Sequence, residues 1–241
     1  MIDADPVLGN VIANYPSDRG RLLLPAVLIT GIAAVLLNFT VATVEAWWGP
    51  VLTVILMALV VLVVGWRTLH FWNREVILYE NGFTYREGAR TVPFLYNEIM
   101  SIRQQGRRLA YFGGLIRRNT YRFTLTGLRG ELMTLDNLYR RVDKMGAQIE
   151  ARVYPILEPY LTERIAAGEK INFSNSLRVS AAGLHEKGRD LTWDALAGYR
   201  IASSQLLLLA HPDQTVWLSL PLSEVDNLPL FVKLIKTRAQ S

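Results

Sequence analysis

The chain of 241 residues contains no cysteine and three histidines. The missing thiol excludes disulfides, thiolate metal centres and cysteine nucleophiles. A zinc site draws three or four ligands, commonly in local pairs, whereas His70, His185 and His211 stand at least 26 residues apart. There is no G-x-S-x-G elbow, no histidine at a spacing that suggests a serine partner, and no glycine-rich loop leading from a strand into a helix; Gly113-Gly114 lies between two strand-like segments. The acidic pairs Glu75 and Glu80, Glu186 and Asp190, and Glu224 and Asp226 flank a strand, a turn and the start of the last helix. Solvation and the positive end of a helix dipole account for them. The expectation is a chain that is not an enzyme, with no catalytic residue, cofactor or metal.

Charge is nearly missing from one stretch. Residues 22–72 hold a single acid, Glu45, and a single arginine or lysine, Arg67. With 51% hydrophobic residues overall, the apolar content is high for a soluble chain and is concentrated here. Residues 22–44 would form a helix of about 34 Å, enough for a ~30 Å hydrocarbon core. Residues 51–72 form a second span if Arg67 snorkels toward headgroups between Trp66 and Trp72. Trp47 and Trp48 occupy the opposite interface, and Gly49-Pro50 turns the chain. Arg19, Arg21, Arg67 and Arg74 cluster at the base and none at the tip. The bias predicts a multi-pass protein of the inner (plasma) membrane with both termini cytoplasmic. The apolar run is too long for a signal-peptide core, and Val44-Glu45-Ala46 is a poor cleavage site. Ala26, Thr30, Ala34 and Asn38 recur every fourth residue, a small and polar stripe expected to face Ala58 and Gly65 of the second span.

Beyond residue 74 the period changes. Short strands alternate through VILYENGFTYREG, with turns at Asn81-Gly82 and Glu87-Gly88, and continue at 98–104, 121–126 and 131–135. Leu138, Val142, Met145, Ile149, Val153 and Ile156 then mark an amphipathic helix, with Asp136 or Asn137 available as its cap. The plan recurs in residues 171–238. Tyr96-Asn97-Glu98-Ile99 aligns with Trp193-Asp194-Ala195-Leu196, and Val142-Asp143-Lys144-Met145 with Val225-Asp226-Asn227-Leu228. The expected organisation is a segment 1–20, a helical hairpin 21–73, a first repeat 74–153, a helical linker 154–170 and a second repeat 171–241.

The hairpin, LYENGFTYREG, the YNEI step and the shorter copy with LTWDAL resemble a bacterial membrane-anchored family of unknown function with tandem pleckstrin-homology-like repeats, as does the approach LGNVIANYPSDRGR. The resemblance implies a membrane-anchored α+β fold: a transmembrane hairpin, then two PH-like repeats, each a strand meander or partly open barrel with a C-terminal helix. Ala195 stands where that pattern has an acid.

The first repeat departs by a long insertion, RQQGRRLAYFGGLIRRNTYR, residues 103–122, with six arginines and no acid. Residues 74–153 hold 14 basic and 8 acidic groups, whereas residues 154–241 hold 9 of each. Because residues 73–75 alone separate the second span from the first strand, anionic lipid is the nearest polyanion. Arg103, Arg107, Arg108, Tyr111, Phe112, Arg117, Arg118 and Arg122 are the candidate contacts to lipid or to a protein partner. In the competing reading, Tyr121, Phe123 and Leu125 face the barrel and the arginines protect a strand edge. Nucleic acid is disfavoured because no recognised binding motif accompanies the arginines. The expected function is a noncatalytic module presenting a cytoplasmic surface at the inner leaflet, the alternative being a scaffold or homo-oligomer binding protein partners.

Overall fold

The computed structural model describes residues 5–43, 48–111 and 116–239; the side chains of 107–111 and 116–119 lie outside the described residues. It is an α+β protein with two apolar helices near its start and four antiparallel sheets. The chain divides into two units, one of Met1–Phe94 with Leu138–Arg141, the other of Leu95–Asn137 with Val142–Ser241.

In the first unit, β1 (Val11–Pro16) precedes the helices α1 (Arg19–Thr43) and α2 (Trp48–Trp72), which are followed by β2 (Glu75–Tyr79), β3 (Gly82–Glu87) and β4 (Arg90–Leu95). Both helices are long and apolar enough to cross a membrane. Residues 11–16, expected within a separate amino-terminal segment, form an antiparallel ladder with β2 from Val11↔Tyr79 to Pro16↔Glu75. β1 buries Tyr15 alone whereas β2 buries Val76, Leu78 and Tyr79, so β1 is fixed as a strand by a partner about sixty residues away. The ladder runs directly into the helices. The Ser17 N–H donates to the Arg74 carbonyl at 2.9 Å and its hydroxyl to the Trp72 carbonyl at 2.9 Å. The Asp18 N–H donates to the Leu138 carbonyl at 2.6 Å. The helix pair is thus an insertion between two paired strands, tied at both ends. The sheet β1-β2-β3-β4 buries Tyr15, Val76, Leu78, Phe83 and Phe94, the last two stacked at 5.6 Å.

The seam between α1 and α2 differs from the expected stripe. The half-buried residues of α1 are Leu22, Ala26, Thr30, Ala33, Leu37 and Thr40; Ala34 and Asn38 are exposed. A strict four-residue step gains about 40° per repeat on a 3.6-residue helix, so the stripe leaves the contact face after two steps. Along the middle of α2 the half-buried positions are Thr53, Met57, Val60, Val64, Gly65 and Thr68; Ala58 is exposed. Thr40 and Thr53 return their hydroxyls to carbonyls four residues back, at 2.6 and 2.9 Å.

In the second unit a 3-10 turn, Tyr96–Glu98, leads into β5 (Ile99–Tyr111), β6 (Ile116–Gly127) and β7 (Leu132–Leu135), then α3 (Val142–Ala166). A second set follows: β8 (Ile171–Asn172), β9 (Leu177–Ser180), β10 (Gly183–Glu186), β11 (Arg189–Thr192), β12 (Leu196–Ala202), β13 (Gln205–Ala210), β14 (Thr215–Pro221) and α4 (Leu228–Ala239). The element order of four strands, a three-stranded meander and a helix therefore occurs twice. The meanders are β5-β6-β7 and β12-β13-β14, and the other sheet of this unit is β11-β10-β9-β8.

Helix α3 corrects one expectation, its cap. Its first turn starts at Val142, and Asn137 is no cap because its side chain accepts the Tyr121 N–H at 3.3 Å. Residues 154–166, expected as a helical continuation linking the repeats, are part of the same helix. Val142, Met145, Ile149, Val153, Leu157, Leu161 and Ile165 are its buried residues. Successive steps of four wind this stripe around the helix, so its early turns pack on β5 and β6 and later ones on β8 and β9. Pro155 and Pro159 are exposed, where water can satisfy the carbonyls that their missing N–H groups leave unpaired. Gly146 admits the Phe123 ring; a Cβ there would meet its Cζ at 2.1 Å. Helix α4 begins three residues later than the repeat alignment implies, because Val225 and Asn227 are buried in the segment ahead of it.

Candidate functional site

The basic stretch is a two-stranded ribbon. β5 and β6 stay in register from Ser101↔Thr126 to Tyr111↔Ile116, whereas β7 pairs only with Phe123 to Thr126. Seven residues of each strand, 105–111 and 116–122, thus continue past the three-stranded sheet, a length of roughly 23 Å at ~3.3 Å per residue. The root is well packed: Ile102, Phe123 and Leu125 are buried to within 2% exposure, Tyr121 is half-buried and Arg122 is exposed. That alternation agrees with Phe123 and Leu125 facing the core and Arg122 facing solvent. The ladder sets Arg107 opposite Thr120, Arg108 opposite Asn119, Arg118 opposite Leu109 and Arg117 opposite Ala110. The register thus gives these arginines ladder positions of both parities rather than one. The side chains of Arg107, Arg108, Tyr111, Arg117 and Arg118 lie outside the described residues, as do Phe112 and Trp47 altogether.

Arg103 is not free for a ligand. Its guanidinium grips Asp226 through two bonds of 2.9 Å, and the carboxylate holds its pKa above the ordinary arginine value. Beside it the Gln105 amide donates to the Ser223 carbonyl at 3.3 Å. Asn227, in a left-handed conformation at φ 50°, completes the joint. Its side chain accepts the Ile102 N–H at 2.9 Å and donates to the Met100 carbonyl at 3.2 Å, imitating a neighbouring strand. Arg103 and Gln105 thus fasten β5 to the segment ahead of α4, and Arg122 is the one arginine of the eight candidates whose described side chain is exposed without an acid partner.

Near the base of the helix pair Trp66 is 73% exposed and Trp72 is half-buried beneath the Arg19 guanidinium at 4.9 Å, while Trp48, at the opposite end of α2, is exposed. Arg67 stacks on Phe71, one turn further along α2, at 5.6 Å. Glu75 and Glu80 have a role that sequence reading missed. Glu75 accepts the Asn14 amide at 2.7 Å and Glu80 accepts both the backbone and side-chain N–H of Asn10, which lowers its pKa. Both carboxylates clamp β1 onto β2.

A second miss is chemical. Ser180, His185 and Asp190 sit on adjacent strands: Ser180 Oγ lies 2.7 Å from His185 Nε2, and His185 Nδ1 lies 2.7 Å from Asp190 Oδ1. A hairpin brings together residues five apart, which a search for long-range spacing overlooks. The connectivity is that of a nucleophilic triad, but the exposure is inverted. Ser180 is 5% exposed while the Asp190 side chain is 68% exposed, and Ser180 Oγ already accepts the Ala182 N–H at 3.2 Å. Trp193 Nε1 caps the same turn through the Ala181 carbonyl at 3.0 Å. The network stiffens a tight turn; its hydroxyl is covered and its lone pair engaged. Among the described residues no cluster of three His, Asp or Glu groups could hold a metal.

With the ribbon, the strand-inserted helix pair and the twofold element order described, comparison with known families becomes informative. The model of a family of unknown function, DUF6585, matches residues 3–241. The chain belongs to this family. No curated protein matches the chain. The match covers both the apolar helices and all four sheets.

Proposed function

We propose that this protein is a noncatalytic, membrane-anchored module in which α1 and α2 span the bilayer, two PH-like repeats lie on the cytoplasmic side, and the β5–β6 ribbon contacts anionic lipid of the inner leaflet. The repeat reading is supported by the doubled order of sheet, meander and helix. The membrane reading is supported by two 25-residue helices of mean hydropathy 2.3 and 2.5 whose outward faces are apolar.

The observation that carries the lipid contact is the ribbon's extension past β7. A two-stranded ribbon without a third strand or a packed face is marginal in water, and five arginines, Arg107, Arg108, Arg117, Arg118 and Arg122, flank its only apolar residues. Such a surface gains order from a polyanion. Each arginine near an anionic surface contributes on the order of 1 kcal/mol. Since a spanning hairpin already anchors the chain, the ribbon's role is orientation and choice of headgroup.

The test uses the full chain in nanodiscs. Anionic phosphatidylglycerol is expected to slow tryptic cleavage at Arg107, Arg108, Arg117 and Arg118 at least fivefold relative to phosphatidylcholine, with protection lost in high salt. Equal rates in both lipids would refute the lipid contact. They would favour the second reading, a scaffold in which the open edge of 116–122 pairs with a protein strand.

A further inference from the structure

We infer that Arg19 and Arg67 form a binding site for the phosphodiester group of an anionic phospholipid at the base of the helix pair, distinct from the ribbon. The inference rests on α1 and α2 spanning the bilayer. It comes from a census of charge at that base. Asp18 pairs with Arg21 at 3.2 Å and with Arg140 at 3.7 Å. Glu87 pairs with Arg74 and lies 3.5 Å from His70 Nε2. Both acids are thereby spent, and among the described residues Arg19 and Arg67 have no anionic partner.

What these two do have is aromatic support. Arg19 stacks over Trp72 and Arg67 over Phe71, consecutive residues at the end of α2. The Phe71 ring also carries Arg74 at 4.7 Å, and of these three guanidiniums Arg74 alone pairs with a carboxylate, Glu87. Stacking occupies the face of a guanidinium and leaves its N–H edge directed outward. Both arginines are exposed, so up to ten N–H donors remain without an acceptor. Phosphate oxygens match that edge bidentately. At the end of a membrane span the concentrated phosphate source is the headgroup layer, and an anionic headgroup lacks the choline that would offset the two positive charges. A lysine has the charge but not the planar edge or the stack, so the site should tell arginine from lysine.

The experiment is native mass spectrometry of the full chain released from detergent, titrated with phosphatidylglycerol or phosphatidylcholine. The wild type is expected to retain one or two phosphatidylglycerol molecules in preference to phosphatidylcholine. The double variant R19Q/R67Q should bind phosphatidylglycerol about tenfold more weakly, and R19K/R67K should recover part of it. Undiminished retention by R19Q/R67Q, or equal retention of the two lipids by wild type, overturns the site. Displacement of the lipid by millimolar inorganic phosphate overturns the lipid assignment in favour of a free-anion site. If R19Q/R67Q loses its thermal transition, R67Q alone, exposed on α2, is read by the same criteria. Cysteine-accessibility mapping of the helix ends separates the two failures: a hairpin that does not cross sinks the anchoring proposal and this site together, while a crossing hairpin without selective retention sinks this site only.

Discussion

Two hairpins hold the same place in the two sets of strands and end differently. β12 and β13 turn through Ser203 and Ser204, both at positive φ as a tight primed turn requires, and β14 pairs with β13 along its whole length. β5 and β6 run to thirteen and twelve residues, and their third strand covers only the first part. The short hairpin closes its backbone bonds internally and sits in a region with 9 basic and 9 acidic groups. The long one leaves an edge open and concentrates arginine on it. The difference separates a hairpin that completes a fold from one that extends beyond it.

That contrast can be broken or sharpened at several points. The largest effect is expected where the ribbon's root meets α3. Gly146→Val would drive a side chain into the Phe123 ring and is expected to cost more than about 3 kcal/mol, removing the cooperative transition in a urea titration. Asn227→Leu comes next. It leaves the Ile102 N–H and Met100 carbonyl unpaired in a buried joint, at a cost of about 2–4 kcal/mol by thermal melting.

Replacing residues 107–120 by Asn-Gly converts the long hairpin into a copy of the short one. The melting temperature should stay within a few degrees, because Ile102, Phe123 and Leu125 are retained. Selective sedimentation with anionic liposomes should weaken at least tenfold. A large loss of stability would mean that the ribbon is part of the core after all. Arg103→Ala, by contrast, removes a partly buried ion pair. It should cost about 1 kcal/mol, discounted for solvent access, while leaving the lipid preference intact.

The smallest effect is electrostatic. Burial on α3 raises the Glu150 pKa above 4.5, the Tyr154 hydroxyl at 3.4 Å opposing only in part. A carboxyl whose folded pKa is raised contributes its stability below the unfolded value and loses it as pH climbs through the folded value. Glu150→Gln should therefore raise the melting temperature by a few degrees at most at pH 7, and the gap should close below pH 4.5. An unchanged gap across that range would show that Glu150 is ionised at no cost.

Much of the fold was legible in advance, for reasons tied to period. A run of fifty residues with one acid and one arginine admits little besides apolar helices. Alternation marked the strands around Phe83, Phe123 and Leu125, and their burial follows it. The arginines of 103–122 were equally visible, but their division was not. Arg103 belongs to Asp226, 123 residues away, and no local pattern separates it from Arg122. Ser180, His185 and Asp190 were passed over because hydrogen-bonding geometry, not spacing, makes them a set.

By itself, the sequence determined what local periodicity and composition can carry: two helices with apolar surfaces, a doubled set of strands and a basic insertion in the first. Tertiary structure decided what depends on distant pairing. It made Val11–Pro16 a strand by setting it against β2, placed the helix pair inside that ladder, and ended β7 before the ribbon did. Side-chain period is a property of neighbours along the chain, whereas an unpaired strand edge exists only relative to strands that come from elsewhere in it.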